Sequence, residues 1–164
     1  MESNPMSAEA PRFDSQFPTS VRVPATAGEL DEIRRCARAV VYVSVAWSGS
    51  ERASRRTFVA AVDQLQREHP GFPVEFFVVD EHPALNMEWV EKLKTAVRHL
   101  QGYGGIIWLC NGIVADEVLS AEQEGAAGIV NRTLNACERL EVARTQTSRL
   151  SRFLSWLSRV GSHW

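Results

Sequence analysis

Two short apolar runs limit what this chain can fold into. Residues 39–45 (Ala-Val-Val-Tyr-Val-Ser-Val) and 74–79 (Val-Glu-Phe-Phe-Val-Val) are rich in β-branched and aromatic side chains and too short for an average helix. Runs of this kind read as strands covered on both faces, and the first should lie centrally in a sheet. Between them, Ala53, Phe58, Ala61, Val62 and Leu65 recur at helical spacing and stop before Pro70 and Gly71. The result is a strand–turn–helix unit followed by a second strand.

The flanking sequence extends this pattern. Thr26, with Glu29 three residues on, is a capping-box signature, so a first helix should start near Ala27 and continue through Leu30, Ile33, Arg34 and Ala37. Residues 86–100 predict a long amphipathic helix and residues 106–110 a third buried strand. Asn111 and Gly112 predict a hairpin turn into a strand over 113–119, and residues 126–140 a last helix of the domain. Helix, strand, helix, strand, helix, strand, strand, helix demands an α/β fold with a mixed sheet and helices on both faces. Residues 1–20, with Pro5, Pro11 and Pro18 and no signal-peptide pattern, read as a disordered lead-in. The expected organisation is that lead-in, a domain over 21–144, and a Ser/Arg-rich tail over 145–164.

Composition excludes more than it specifies. A formal net charge of −2 over 164 residues gives no general pull toward nucleic acid. No apolar stretch is long enough to span a bilayer. Cys36, Cys110 and Cys137 are an odd number without a Cys-x-x-Cys. That argues against a disulfide framework, fits small buried side chains in a reducing compartment, and makes a cytoplasmic location the expectation. His69, His82, His99 and His163 are dispersed and no nucleotide loop occurs, so no metal and no cofactor are expected.

Three local strings, in this order and on these elements, resemble the thioredoxin family over residues 26–140. Residues 43–51 (Val-Ser-Val-Ala-Trp-Ser-Gly-Ser-Glu) resemble the strand-to-helix turn that carries the family's Cys-Gly-Pro-Cys. Residues 80–85 (Asp-Glu-His-Pro-Ala-Leu) resemble its Asp-x-x-Pro-x-Leu string, and residues 104–112 its cis-Pro-Thr strand ending in Asn-Gly. The resemblance implies a thioredoxin-like sheet and places Ser48 at the nucleophilic cysteine, Ser50 at the proline and Glu51 at the resolving cysteine. Tyr42 falls at the buried aspartate and Gly104 at the cis-proline. Without sulfur at the turn no thiolate can form there, so dithiol exchange is not expected. The segment 85–104 is about one or two helical turns longer than in the family.

The candidate site is therefore the vestigial turn Trp47, Ser48, Gly49, Ser50 and Glu51, with Tyr103, Gly104 and Gly105 beside it. No catalytic residue is expected. The first reading is a non-catalytic thioredoxin-like domain that acts as a protein-binding module through this turn, with Trp47 either exposed to a partner or packed in the core. The alternative is an enzyme that binds glutathione or another thiol conjugate through Ser48 at the helix N-terminus. The simplest reading of Ser48 and Glu51 is a capping box, with Glu51 and Arg55 paired on the helix surface. Trp89 falls off the stripe of its helix and is a second candidate surface aromatic, whereas Trp108 belongs to the core. In the tail, Leu150, Phe153, Leu154, Leu157 and Val160 share one face of an amphipathic helix. Self-association or docking of an unknown protein partner is the favoured use of that face, own-domain packing comes next, and a membrane surface is the least favoured.

Overall fold

The structure, a computed structural model, describes residues 16–81, 84–99 and 102–160, with the side chains of 98–99, 143–144 and 146–160 outside the description. Its elements are β1 (Val21–Arg22), α1 (Ala27–Ile33), β2 (Arg38–Ser44), α2 (Glu51–Glu68), β3 (Glu75–Asp80), α3 (Ala84–Lys92), β4 (Gly105–Cys110), β5 (Ile113–Val118) and α4 (Ala121–Val160). The five strands form one mixed sheet in the order β1-β3-β2-β4-β5, with β2 at its centre as its composition requires. β1 and β2 run parallel to β3, whereas β4 runs antiparallel to β2, and β5 to β4.

Alternation along the strands divides the interior in two. Val40 and Tyr42 of β2, Phe76 and Val78 of β3, and Ile106 and Trp108 of β4 face α2 and α4, where Phe58, Val62, Leu65 and Ile129 meet them. Val41, Val43, Phe77, Val79, Ile107 and Leu109 face the other way, onto Leu30 and Ile33 of α1 and Trp89 and Val90 of α3. Burying each of these large side chains contributes roughly 1.5–3 kcal/mol. Inside the first layer, the Trp108 indole donates to Thr133 Oγ1 at 2.9 Å.

Several expectations are corrected. β1 is too short to show in the pattern, and it brings the chain before it into the core: Phe17, within the expected lead-in, is buried. Residues 1–15 lie outside the described residues. The long helix expected over 86–100 ends at Lys92, and the chain turns through Lys94 at φ 54° into a short 3-10 turn, Ala96–His99. Glu117 of β5 causes the break, because its carboxylate accepts from the Thr95 hydroxyl and from Ala96 N, while Thr95 Oγ1 caps Val97 N at 3.0 Å. Trp89 is 4% exposed, not a surface aromatic.

The tail is not a separate helix. α4 starts at Ala121, passes Gly125 at φ 75°, and its backbone then continues through the expected boundary at Thr145 to Val160. The faces assigned to Leu150, Phe153, Leu154, Leu157 and Val160 lie outside the described side chains. Cys110 and Cys137 are not two free buried thiols but a disulfide, with Cα atoms 5.6 Å apart, and Cys36 is the free one. The bond removes the argument for a reducing compartment, since strand end and helix turn are brought together only by the fold. Cys36 follows α1 rather than sitting on it, and is half-buried.

Candidate functional site

β2 ends at Ser44 and α2 begins at Glu51, and the chain between them forms an exposed turn at one end of the sheet. Ser48 N donates to Val45 O at 2.8 Å and Glu51 N to Ser48 O at 3.3 Å, which closes the turn on itself. Glu81 N donates to Ser44 O at 2.9 Å, and the Trp47 indole donates to Glu81 Oε2 at 3.1 Å. Trp47 is thus tethered at its edge while remaining 66% exposed. Of the two destinations open to it, solvent is the one observed.

Glu51 occupies the opposite environment. Its side chain is completely buried beneath the turn, where Oε1 accepts from the Tyr42 hydroxyl at 2.6 Å and from Ser44 Oγ at 3.0 Å. Tyr42 and Ser44 are alternate residues of β2, so both point to the face that α2 covers. Oε2 lies 3.7 Å from Arg55 Nε and has no hydrogen-bond partner among the described residues. Burial pushes the Tyr42 hydroxyl far above its ordinary pKa, and the Glu51 charge adds to that, so Tyr42 stays protonated and donates. The capping box expected from Ser48 and Glu51 does not form. The carboxylate turns inward, Ser50 takes the N-cap position without a side-chain cap, and the Glu51–Arg55 pair spans a buried and a partly buried group.

The second strand-end loop completes the arrangement. A Cβ at Gly102, where φ is 85°, would stand 3.0 Å from Ser48 Oγ and 4.0 Å from Trp47 Cη2, so the two loops lie side by side. Gly104 is buried, its carbonyl accepts from Ala121 N at 2.9 Å, and any Cβ there would land on the Tyr42 hydroxyl and ring edge. Gly105 opens β4 and is buried, while Tyr103 between these glycines is 45% exposed. The structure therefore brings the expected residues together but splits them: Trp47, Gly49, Ser50 and Tyr103 face outward, Ser48 is half-buried, and Glu51, Gly104 and Gly105 face inward. Sequence reasoning missed the Tyr42–Ser44–Glu51 cluster. Its signal was two hydroxyls at alternate positions of an otherwise apolar strand.

A cleft of about 360 Å³ lies at the far end of α2, lined by Leu65, His69, Phe72 and Phe76 among others. No group of three His, Cys, Asp or Glu side chains gathers into a metal-binding cluster among the described residues, and none of their helices is long and apolar enough to cross a membrane.

No family model and no curated protein sequence matches the chain. Solved structures do. The zinc-bound form of human ERp44 superposes with a TM-score of 0.53 at 15% identity, over 70% of this chain and 30% of that one. Oxidised thioredoxin from Plasmodium falciparum superposes with a TM-score of 0.51 at 17% identity, over 69% of this chain and 97% of that one. The chain thus spans under a third of the ERp44 length and nearly all of a thioredoxin. At such identities the likeness concerns architecture, and it agrees with the strand order and the helix placement described above: the chain has the thioredoxin-like α/β fold.

Proposed function

We propose that this chain is a redox-inactive thioredoxin-like domain that binds another protein through the face formed by Trp47, Ser48 and Tyr103. The observation that carries this reading is Glu51. At the position the resemblance assigns to the resolving cysteine, a carboxylate is buried and held by two hydroxyls, so the turn is fastened from beneath by hydrogen bonds. Above that anchor, Trp47 and Tyr103 present apolar surface with a polar edge, the residue types that dominate protein interfaces. Self-association through the tail is part of the same reading.

The rival, a glutathione- or thiol-conjugate-binding enzyme, draws on the N-terminus of α2, which Ser50 leaves without a side-chain cap. Glu51 weighs against it, since a carboxylate in the first turn already faces the helix dipole and repels a second anion. The test joins two measurements. Insulin reduction with dithiothreitol should proceed no faster with the protein than without it. A photo-crosslinking residue at Tyr103 should capture one discrete protein from the native cell, and Trp47→Ala should weaken that capture at least tenfold. Insulin turnover at a thioredoxin's rate would defeat the reading. A melting shift with millimolar glutathione that Ser48→Ala abolishes would replace it with the rival.

A further inference from the structure

Away from the turn, the bond between Cys110 and Cys137 joins the last residue of β4 to α4. Its position on α4 is what makes it informative. Up to Ala136 the helix is fixed by burial of Ile129, Val130 and Ala136, by Thr133 accepting from Trp108, and by Arg132 between Asp116 and Glu124. Past Cys137 the described side chains change character, although Leu140 is still half-buried. Glu138, Arg139, Glu141, Val142 and Thr145 are exposed, and Arg139 makes only a long ion pair with Asp116 at 3.9 Å. Among the described side chains of α4, the disulfide thus marks the end of the firmly attached stretch. It is also asymmetric, since Cys110 is 4% exposed whereas Cys137 is half-buried.

We propose that Cys110–Cys137 is a thiol–disulfide exchange site at which this chain is the substrate, and that reduction there frees α4 beyond Cys137 while the domain stays folded. The co-reactant is a dithiol. Its thiolate attacks the more accessible Cys137 sulfur, the S–S bond breaks, and Cys110 leaves as a thiolate that takes up a proton. The second thiol of the reductant then attacks the mixed disulfide and releases Cys137, so that two electrons and two protons pass to this chain and the reductant becomes a disulfide. The site lies on the opposite end of β4 from Gly105 and the turn, so the exchange does not depend on the binding face.

Hydrogen exchange on the full chain carrying Cys36→Ser, which leaves a single pair of sulfurs, tests the proposal. With dithiothreitol, backbone amides over 138–160 should exchange at least tenfold faster, while those of β4 and of residues 129–133 stay unchanged. The double variant Cys110→Ser with Cys137→Ser should reproduce that pattern without reductant, and if it fails to fold the reduced full chain decides. A thioredoxin lacking its resolving cysteine should be trapped on Cys137. Unchanged exchange over 138–160, faster exchange throughout the sheet, trapping on Cys110, or two free thiols in the air-oxidised Cys36→Ser protein would each overturn the proposal.

Discussion

Gly104→Ala is the substitution for which the structure makes its sharpest demand. Gly104 does not have a left-handed backbone, so alanine brings no strain of its own there, and the whole effect is what its Cβ meets. It meets the phenol of Tyr42, which is fully buried, stacked on Phe58 with ring centroids 4.9 Å apart, and bonded to Glu51. Overfilling a packed core costs roughly 1–3 kcal/mol. If the ring yields, the charge-assisted bond to Glu51 goes with it, at about 1.5–3 kcal/mol more. The combined loss of about 2.5–6 kcal/mol is a large part of the 5–15 kcal/mol typical of a domain. At about 2–4 °C per kcal/mol in a chain of this size, Tm should fall by about 5–24 °C. Urea unfolding of a double-mutant cycle isolates the cause. Tyr42→Val is destabilising by itself, by roughly 2–5 kcal/mol as a large-to-small core change, but adding Gly104→Ala to it should then cost less than about 0.5 kcal/mol. An equal cost of Gly104→Ala in both backgrounds would refute the argument.

Three further outcomes follow from other parts of the molecule. Glu51→Gln keeps an acceptor for Tyr42 and Ser44 whereas Glu51→Leu strands both hydroxyls, so the urea midpoint should fall in the order wild type, Gln, Leu, with roughly 1–3 kcal/mol between the last two; a Leu variant as stable as Gln would contradict the buried cluster. Cys36 has its thiol pushed up to about 11, first by burial and then by Glu75. A pKa raised by folding favours the folded state below the unfolded value and is lost as pH climbs through the folded one, so Tm should hold to about pH 8.5 and decline toward pH 11, with Cys36→Ser removing the first part of the decline. A chain ending at Thr145 keeps every described residue of both cores, so it should remain folded and, by light scattering, pass from dimer to monomer; a full-length monomer would end the tail's proposed role in self-association.

What was legible in the sequence is what local chemistry fixes. The Thr26–Glu29 capping box closes as its spacing predicts, with Glu29 N donating to Thr26 Oγ1 at 3.3 Å. Asn111 and Gly112 turn the β4–β5 hairpin with φ of 50° and 75°, and the apolar middles of β2 and β3 are buried on both faces, with only the charged ends Arg38, Glu75 and Asp80 reaching water. Three misreadings involve a residue decided by a partner elsewhere in the chain. Nothing near Lys94 in sequence says that Glu117 will seize Thr95 and end α3, and nothing near Cys110 says that a helix turn 27 residues on will meet it. The Ser48–Glu51 spacing satisfied the local rule for a cap, and β2 overrode it by offering Glu51 two hydroxyls indoors. The same override made the candidate site legible in place but not in chemistry.

The uninterrupted α-helical backbone from Cys137 to Val160 has a consequence for anything that binds its far end. That stretch is about 35 Å long and advances 100° per residue, so it acts as a spacer with an angular setting as well as a length. Deleting one residue near Glu141 would shorten it by only about 1.5 Å, yet swing every later side chain by about 100° around the axis. Removing seven would cost about 10 Å of reach and nearly restore the original azimuth. Contacts made by the last turns should therefore tolerate a change of length in steps of a heptad better than a change of one residue.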